Sequence, residues 1–423
     1  MSTELKNKLL PRLRFPEFKD AGEWEVRKLG EVLFEPKKEP VENPEERELL
    51  VVKLHCKGIE NTGKYPTVTE KGRPYYIRNK GEILIGRQNF HNGGIGIVEK
   101  HNDGKICSNA ISSYNVIKDE LLFVYYFIAR PEYYTRVTHL ISGTGQKEIS
   151  REIFSNLNIF IPSNPEQQKI ASCLSSLDEV IAGEQQKLEL LKQHKKGLLQ
   201  NLFPQEGETV PKLRFPEFID AGEWEKDTLI NIASFRRGSF PQPYGLPEWY
   251  DNENGLPFIQ VFDVDENFKL KLNTKNRISE LAAKQSVFIP KGTLIITIQG
   301  SIGRVAITQY DAYIDRTLLL FEKFYREIDL TFFAYTIFLL FEIEKQKAPG
   351  GIIKTITKEV LSNFIVPIPS LPEQQKIASC LSSLDDLINA QRQKIELLKQ
   401  HKKGLLQNLF PQAISNYELR IKN

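Results

Sequence analysis

No stretch of this chain is apolar for long enough to cross a bilayer. The longest runs, Leu121 to Ala129 and Thr331 to Phe341, read instead as buried helices. The opening MSTELKNKLL lacks the apolar core of a secretory signal, so no membrane partner is expected. Cysteine is scarce as well: four thiols, at positions 56, 107, 173 and 380, make neither a disulfide framework nor a paired-cysteine zinc pattern, and a reducing cytosol is the expected compartment. Excess charge of one sign is also missing. Lys and Arg total 57 against 54 Asp and Glu, a net of +3, so any nucleic-acid surface has to come from a local basic face. With 26% charged and 40% hydrophobic residues the chain has a globular profile, and 423 residues allow two ordinary domains.

Catalytic signatures are missing too. Gly58 to Tyr65 nearly fits a phosphate-binding loop, but Tyr65 stands where Ser or Thr would meet magnesium, and Pro66 blocks the helix such a loop should open. The Asn-Pro pairs at 43 and 164 continue into glutamate, unlike the Asn-Pro-Pro-Tyr pattern of adenine methyltransferases. Asp103-Gly-Lys105 is too short to mark a nuclease. His55, Cys56, His91, His101 and Cys107 fit no zinc spacing and have no counterparts later in the chain, so scattered structural or surface positions are expected and no metal site.

What the chain does have is repetition. Pro165 to Gln205 returns at Pro372 to Gln412 with seven differences, and PRLRFPEFKDAGEWE (Pro11 to Glu25) returns at Pro211 to Glu225 with two. The first repeat reads as a long helix. Ile170, Leu174, Leu177, Ile181, Leu188, Leu191, Leu198 and Leu202 follow steps of three and four, as do Ile377, Leu381, Leu384, Ile388, Ile395, Leu398, Leu405 and Leu409. Glu184 and Lys195 interrupt the first seam. Ser163 and Ser370, each three residues before a glutamate (Glu166, Glu373), allow a capping box, and Pro204 and Pro411 end the helices. Each rod would be roughly 55–60 Å long. The spacing predicts a coiled-coil seam, and because a whole globular segment separates the two copies and their entry points are alike, an antiparallel pairing with pseudo-twofold symmetry is expected; the alternative is that each helix packs on its own domain. The second repeat reads as an ordered loop pinned by Phe15, Phe18 and Trp24, or by Phe215, Phe218 and Trp224.

Between these repeats lie two bodies that differ. Lys80 to Lys100 lines up with Lys291 to Thr308 as a Lys-Gly turn, a β-branched strand, a polar loop, then Ile-Gly and another strand. Helix-like aromatic segments follow, then glycine loops ending in Lys147 and Lys354, then strands running into the rods. The expected fold class is α+β: two domains of mixed strands and helices joined by two long helices. The segments are 1–163 (first domain), 164–205 (helix), 206–370 (second domain), 371–412 (helix) and a tail, 413–423. Arg87, Gln88, Asn89, His91 and Asn92 in the first polar loop are residue types that pair with base edges, and Gln299, Ser301 and Arg304 stand there in the second body, with Arg236, Arg237 and Gln260 nearby in sequence. Lys147 and Lys354 are candidates for phosphate contacts.

Two variable domains, each opened by Phe-Pro-Glu-Phe…Gly-Glu-Trp and followed by strands ending Ile-Pro and a helix beginning Pro-Glu-Gln-Gln-Lys-Ile-Ala (165–171, 372–378), resemble the specificity subunit of type I restriction-modification systems of bacteria and archaea. The resemblance covers essentially the whole chain. It implies two target-recognition domains, each reading one half of a split site in double-stranded DNA, and paired helices that fix the gap and dock two methyltransferase subunits. It further implies restriction-translocase subunits, with S-adenosylmethionine, ATP and Mg belonging to those partners and no cofactor or catalytic residue to this chain. The dissimilar bodies argue for an asymmetric target. Two rival readings are a non-DNA adaptor that assembles protein partners and a stand-alone DNA-binding regulator.

Overall fold

The computed structural model describes residues 9–67, 72–139, 148–347 and 356–411, and it divides into two compact units: Met1–Gln185 with Lys394–Asn423, and Gln186–Gln393. The division runs through both long helices, so each unit holds the first part of one helix and the last part of the other.

In the first unit the frame consists of β1 (Glu25–Lys28), β2 (Leu33–Phe34), β3 (Ile83–Gly86), β4 (Ile95–Ile97), β5 (Ile111–Val116) and β6 (Asn158–Ile161). Its helices are α1 (Leu121–Ile128), α2 (Arg151–Asn156) and the start of α3 (Asn164–Asn201). An antiparallel sheet runs β2-β5-β3-β4. Its inner strand β3 is β-branched and aliphatic because both faces are covered: Ile83, Leu84 and Ile85 are all buried. α1, LLFVYYFI, has almost no polar face and is correspondingly sunk into the core, with Phe123, Val124, Phe127 and Ile128 fully buried. β1 and β6 form a separate ladder that leads the chain out of the lead-in loop and into α3.

The second unit repeats the frame with β7 (Glu225–Thr228), β8 (Ala233–Arg237), β9 (Leu294–Thr297), β10 (Val305–Ile307), β11 (Leu318–Phe324) and β12 (Ile365–Ile368). With them stand α4 (Leu330–Lys347), α5 (Lys358–Ser362) and the start of α6 (Leu371–Asn408). Strand order is β8-β11-β9-β10, and the register of the inner strand matches that of the first unit, Leu84 facing Gly96 and Ser113 as Ile295 faces Ala306 and Leu320, while β8 differs from β2 by a bulge between Ser234 and Phe235. The alignment of Lys80–Lys100 with Lys291–Thr308 is thus a structural equivalence. The bodies diverge outside this frame. The second unit adds a four-stranded sheet of Asn276–Ile278, Leu256–Ile259, Ala312–Ile314 and Val287–Ile289. In the first, Leu50–Val52 with Ile59–Asn61 and Tyr75–Ile77 with Ile106–Ser108 form only two-stranded ladders. Ile59–Asn61 lies in the phosphate-loop-like stretch, which is strand and opens no helix.

Within each unit the long helices run antiparallel, the start of one beside the end of the other. Lys394 meets Glu184 at 2.6 Å and Lys402 pairs with Asp178 in the first unit, while Lys195 pairs with Asp385 at 2.5 Å in the second. The apolar seam positions are buried or half-buried, yet the seam serves two purposes. At the helix ends Ile170, Leu174 and Leu409 join the core of the first body, and Leu202, Ile377 and Leu381 cluster with Trp224, Phe332 and Tyr335. Helix-on-helix and helix-on-body packing therefore coexist. The capping box does not form: Arg14 takes both oxygens of Glu166 and Arg214 both oxygens of Glu373, all at 2.7 Å, which draws the glutamates to the lead-in loops. Those loops are pinned chiefly by tryptophan, buried while Phe15, Phe18, Phe215 and Phe218 are half-buried. Trp24 packs on Phe123 and Phe410, and Trp224 on Phe332 and Phe203.

Candidate nucleic-acid interface

The polar stretch between β3 and β4 is more built than an open loop. Arg87–Asn92 forms 3-10 turns kinked at Asn89 and closed by Gly93, whose φ of 69° is left-handed. Phe90, completely buried, anchors the turns from below. Gly94 has to be glycine for space, because a Cβ there would sit 2.9 Å from the Asn89 carbonyl oxygen. His55 and Cys56, both at positive φ (58° and 52°), donate their backbone amides to the carbonyls of Asn92 and Gly93. Non-glycine residues held in that region cost on the order of 1–3 kcal/mol each and mark places the surrounding structure over-determines. Sequence reading missed this brace, since no composition signal announces a left-handed histidine.

The candidate side chains on these turns are not equally free. Arg87 is half-buried, pairs with Glu148 at 2.8 Å and donates from Nη2 to the Asn109 carbonyl at 3.1 Å. Gln88, His91 and Asn92 are half-buried, and Asn89 is exposed. The Nδ1 of His91 is buried without a hydrogen-bond partner. Of the five, only Asn89 is exposed.

In the second unit the loop between β9 and β10 (298–304) is one residue shorter than that between β3 and β4 (87–94), and its turn, Gln299–Arg304, is folded around Thr297, whose Oγ1 accepts from the Arg304 amide at 2.9 Å. Arg304 donates to the Val264 carbonyl (3.2 Å) and lies 3.8 Å from Glu266; Ser301 is exposed and Gln299 half-buried. Gln260 is brought close, since Val261 is the side chain nearest Gly300, while the Gln260 Oε1 accepts from Asn276 at 2.7 Å. Arg236 and Arg237 lie exposed at the end of β8, with β11 between them and β9; Arg236 pairs with Glu322 at 2.5 Å. Lys147 and Lys354 lie outside the described residues. Among the described residues no cluster of His, Cys, Asp and Glu could hold a metal ion.

A second repeated site joins each body to the helix pair. Tyr126 of α1 donates its hydroxyl to Asp178 (2.7 Å), and Asp178 pairs with Lys402, whose ammonium lies 5.2 Å from the Tyr126 ring centre. Tyr335, Asp385 and Lys195 repeat this in the second unit, with hydroxyl to carboxylate at 2.5 Å and ammonium to ring at 5.3 Å. Burial first, then the neighbouring carboxylate, raises the pKa of both tyrosines, so each hydroxyl stays a donor. The seam lysine expected to interrupt an apolar contact instead completes a three-part clip.

Comparison with known proteins follows the same division. The model of the type I restriction modification DNA specificity domain matches twice, at residues 21–193 and 223–400. The chain belongs to this family. The specificity subunit is 26% identical to the type I restriction enzyme MjaVIII specificity subunit of Methanocaldococcus jannaschii, over 97% of this chain and 95% of that one. It is 22% identical to the EcoBI specificity subunit of Escherichia coli, over 72% and 66%. Among solved structures, the specificity subunit from M. genitalium shares the fold with a TM-score of 0.57 at 18% identity, over 95% of this chain and 99% of that one. A chain from a study of complex assembly and conformational transition in a type I system gives 0.58 at 19%, over 92% and 98%. The chain is thus a specificity subunit, with two target-recognition domains, and a non-catalytic component of its system. No helix among the described residues is long and apolar enough to cross a membrane.

Proposed function

We propose that the two bodies read the two halves of a split, asymmetric DNA site, each presenting the turn after its inner strand (Arg87–Asn92, Gln299–Arg304) to the major groove. Arg236, Arg237 and Gln260 would serve the same surface in the second body, and Lys147 and Lys354 the phosphates. The observation that carries this reading is the contrast between a frame repeated in strand order and inner-strand register and connecting loops (87–94, 298–304) that differ by one residue in length and present different side chains. A fixed scaffold with exchangeable chemistry suits a protein that must read two different sequences. The helix pair sets the gap between half-sites and docks two methyltransferase subunits. Those subunits bring S-adenosylmethionine, and the restriction-translocase subunits that join them bring ATP and Mg.

Salt dependence tests the reading against an adaptor that assembles only proteins. The complex with its methyltransferase subunits is expected to lose DNA affinity linearly in log salt, with a slope of about −0.9 per phosphate neutralised. A complex that assembles but shows no salt-dependent DNA binding would support the adaptor.

A further inference from the structure

Apart from the turn itself, the first unit contains an open polar cleft of about 320 Å³ whose walls include Lys37, Lys38, Tyr76, Arg78, Asn109 and Arg151. Its floor is a buried arginine. Arg78 is 3% exposed; Nη1 donates to the Ser113 hydroxyl at 3.0 Å, Nη2 to the Ile111 carbonyl at 2.7 Å, and Nε has no hydrogen-bond partner. Beside it Lys38 takes both oxygens of the buried Glu82 at 2.6 and 2.7 Å, so the floor carries two cations and one carboxylate. The neighbouring Cys107 supplies no charge, because burial pushes its thiol up to about 11. Lys38 is held below the ordinary lysine range by burial, with Glu82 pulling the other way and Arg78 adding a smaller repulsion. A desolvated cation without a counter-ion is costly, and an arriving anion relieves that cost.

The cleft lies beside the turn that reads bases. Its wall residue Asn109 is the one whose carbonyl accepts from Arg87. At the mouth stand exposed Lys37, Arg151 and Glu35, with Arg151 donating from Nε and Nη2 to the two Glu35 oxygens at 2.8 and 2.9 Å. In the second unit the same positions of the frame hold Arg237 for Lys37, Arg316 for Asn109 and Lys358 for Arg151, so cations recur at this corner although the sequences around them differ.

We propose that the Arg78 cleft of the first body seats a phosphodiester of the DNA backbone, with Lys37 and Arg151 gripping it at the mouth. This rests on the DNA-reading function above and adds the place where that body sets its register. One phosphodiester charge matches the one unbalanced charge of the floor.

The test uses the full complex with its methyltransferase subunits and labelled duplexes across a salt series. Lys37→Glu and Arg151→Gln, both surface changes, are expected to weaken binding roughly 3–10-fold on every sequence, and Arg78→Met to lower the salt slope by about one, with the methylated motif unchanged. If Arg78→Met fails to fold, as a melting curve would reveal, the two mouth variants decide. Unchanged affinity and slope in those variants, while the wild type still binds its split site, overturns the cleft but not the reading function. Altered base preference without a slope change overturns it also. A wild-type complex without salt-dependent DNA binding overturns both. Inorganic phosphate, titrated at constant ionic strength, separates the sources: phosphate binding lost in Arg78→Met with duplex affinity untouched assigns the cleft to a free anion and contradicts the proposal.

Discussion

A side chain reads a base only if it is held still and left uncovered. The turns after β3 and β9 meet the first condition through buried anchors, Phe90 below one and Thr297 inside the other. On the second condition the residues separate. Arg87 and Arg304 already spend guanidinium hydrogens on protein carbonyls and sit beside glutamates, which suits positioning, whereas Asn89 and Ser301 face outward. Replacing Asn89 by Ala is accordingly expected to relax base preference at a position of the first half-site by about 1–3 kcal/mol, with the second half-site unaffected. Competition binding with duplexes altered in one half at a time measures this, and equal weakening on all duplexes would count against a base contact. The sequence made the polar character of these turns visible but not their hierarchy. Which arginine is tied down depends on Glu148, Asn109 and Val264, residues distant in sequence that only the fold brings near.

Among the elements, the long helices were the most legible. Steps of three and four, two stop prolines and near-identity of the copies announce both helices, and their observed spans end before those prolines. Their polar fittings were not legible, because each needs a partner from elsewhere in the chain. Glu166 and Glu373 look like capping residues until Arg14 and Arg214 arrive from the lead-in loops. Lys195 looks like a defect in a seam until Asp385 and Tyr335 surround it. The clip has a graded energetic signature. Tyr335→Phe removes one buried hydrogen bond to a charged group and should cost about 1.5–3 kcal/mol. Asp385→Ala should cost more, because it leaves the half-buried Lys195 without its counter-ion. Lys195→Met combined with Asp385→Leu removes both charges and should recover part of that loss. Urea unfolding of the three variants checks the order, and equal losses for all of them would show the clip to be mere surface contact. The second body's extra sheet escaped the sequence for another reason: strands of three and four residues carry too little alternation to stand out.

For the molecule as a whole, duplication is the organising fact. Lead-in loop, frame, clip and helix recur in both units with matched register, while what fills the frame does not. On the proposed reading, such a division would let the target change without disturbing the parts to which partners dock. The most direct measurement is a map of methylated adenines across a genome after co-expression of the chain with its methyltransferase subunits, repeated after the segment between Glu225 and Ile368 is exchanged for that of another specificity subunit. The account predicts a split, asymmetric motif with a fixed gap, of which the exchange alters one half alone. A motif that changes in both halves, or no methylation from an assembled complex, would contradict it.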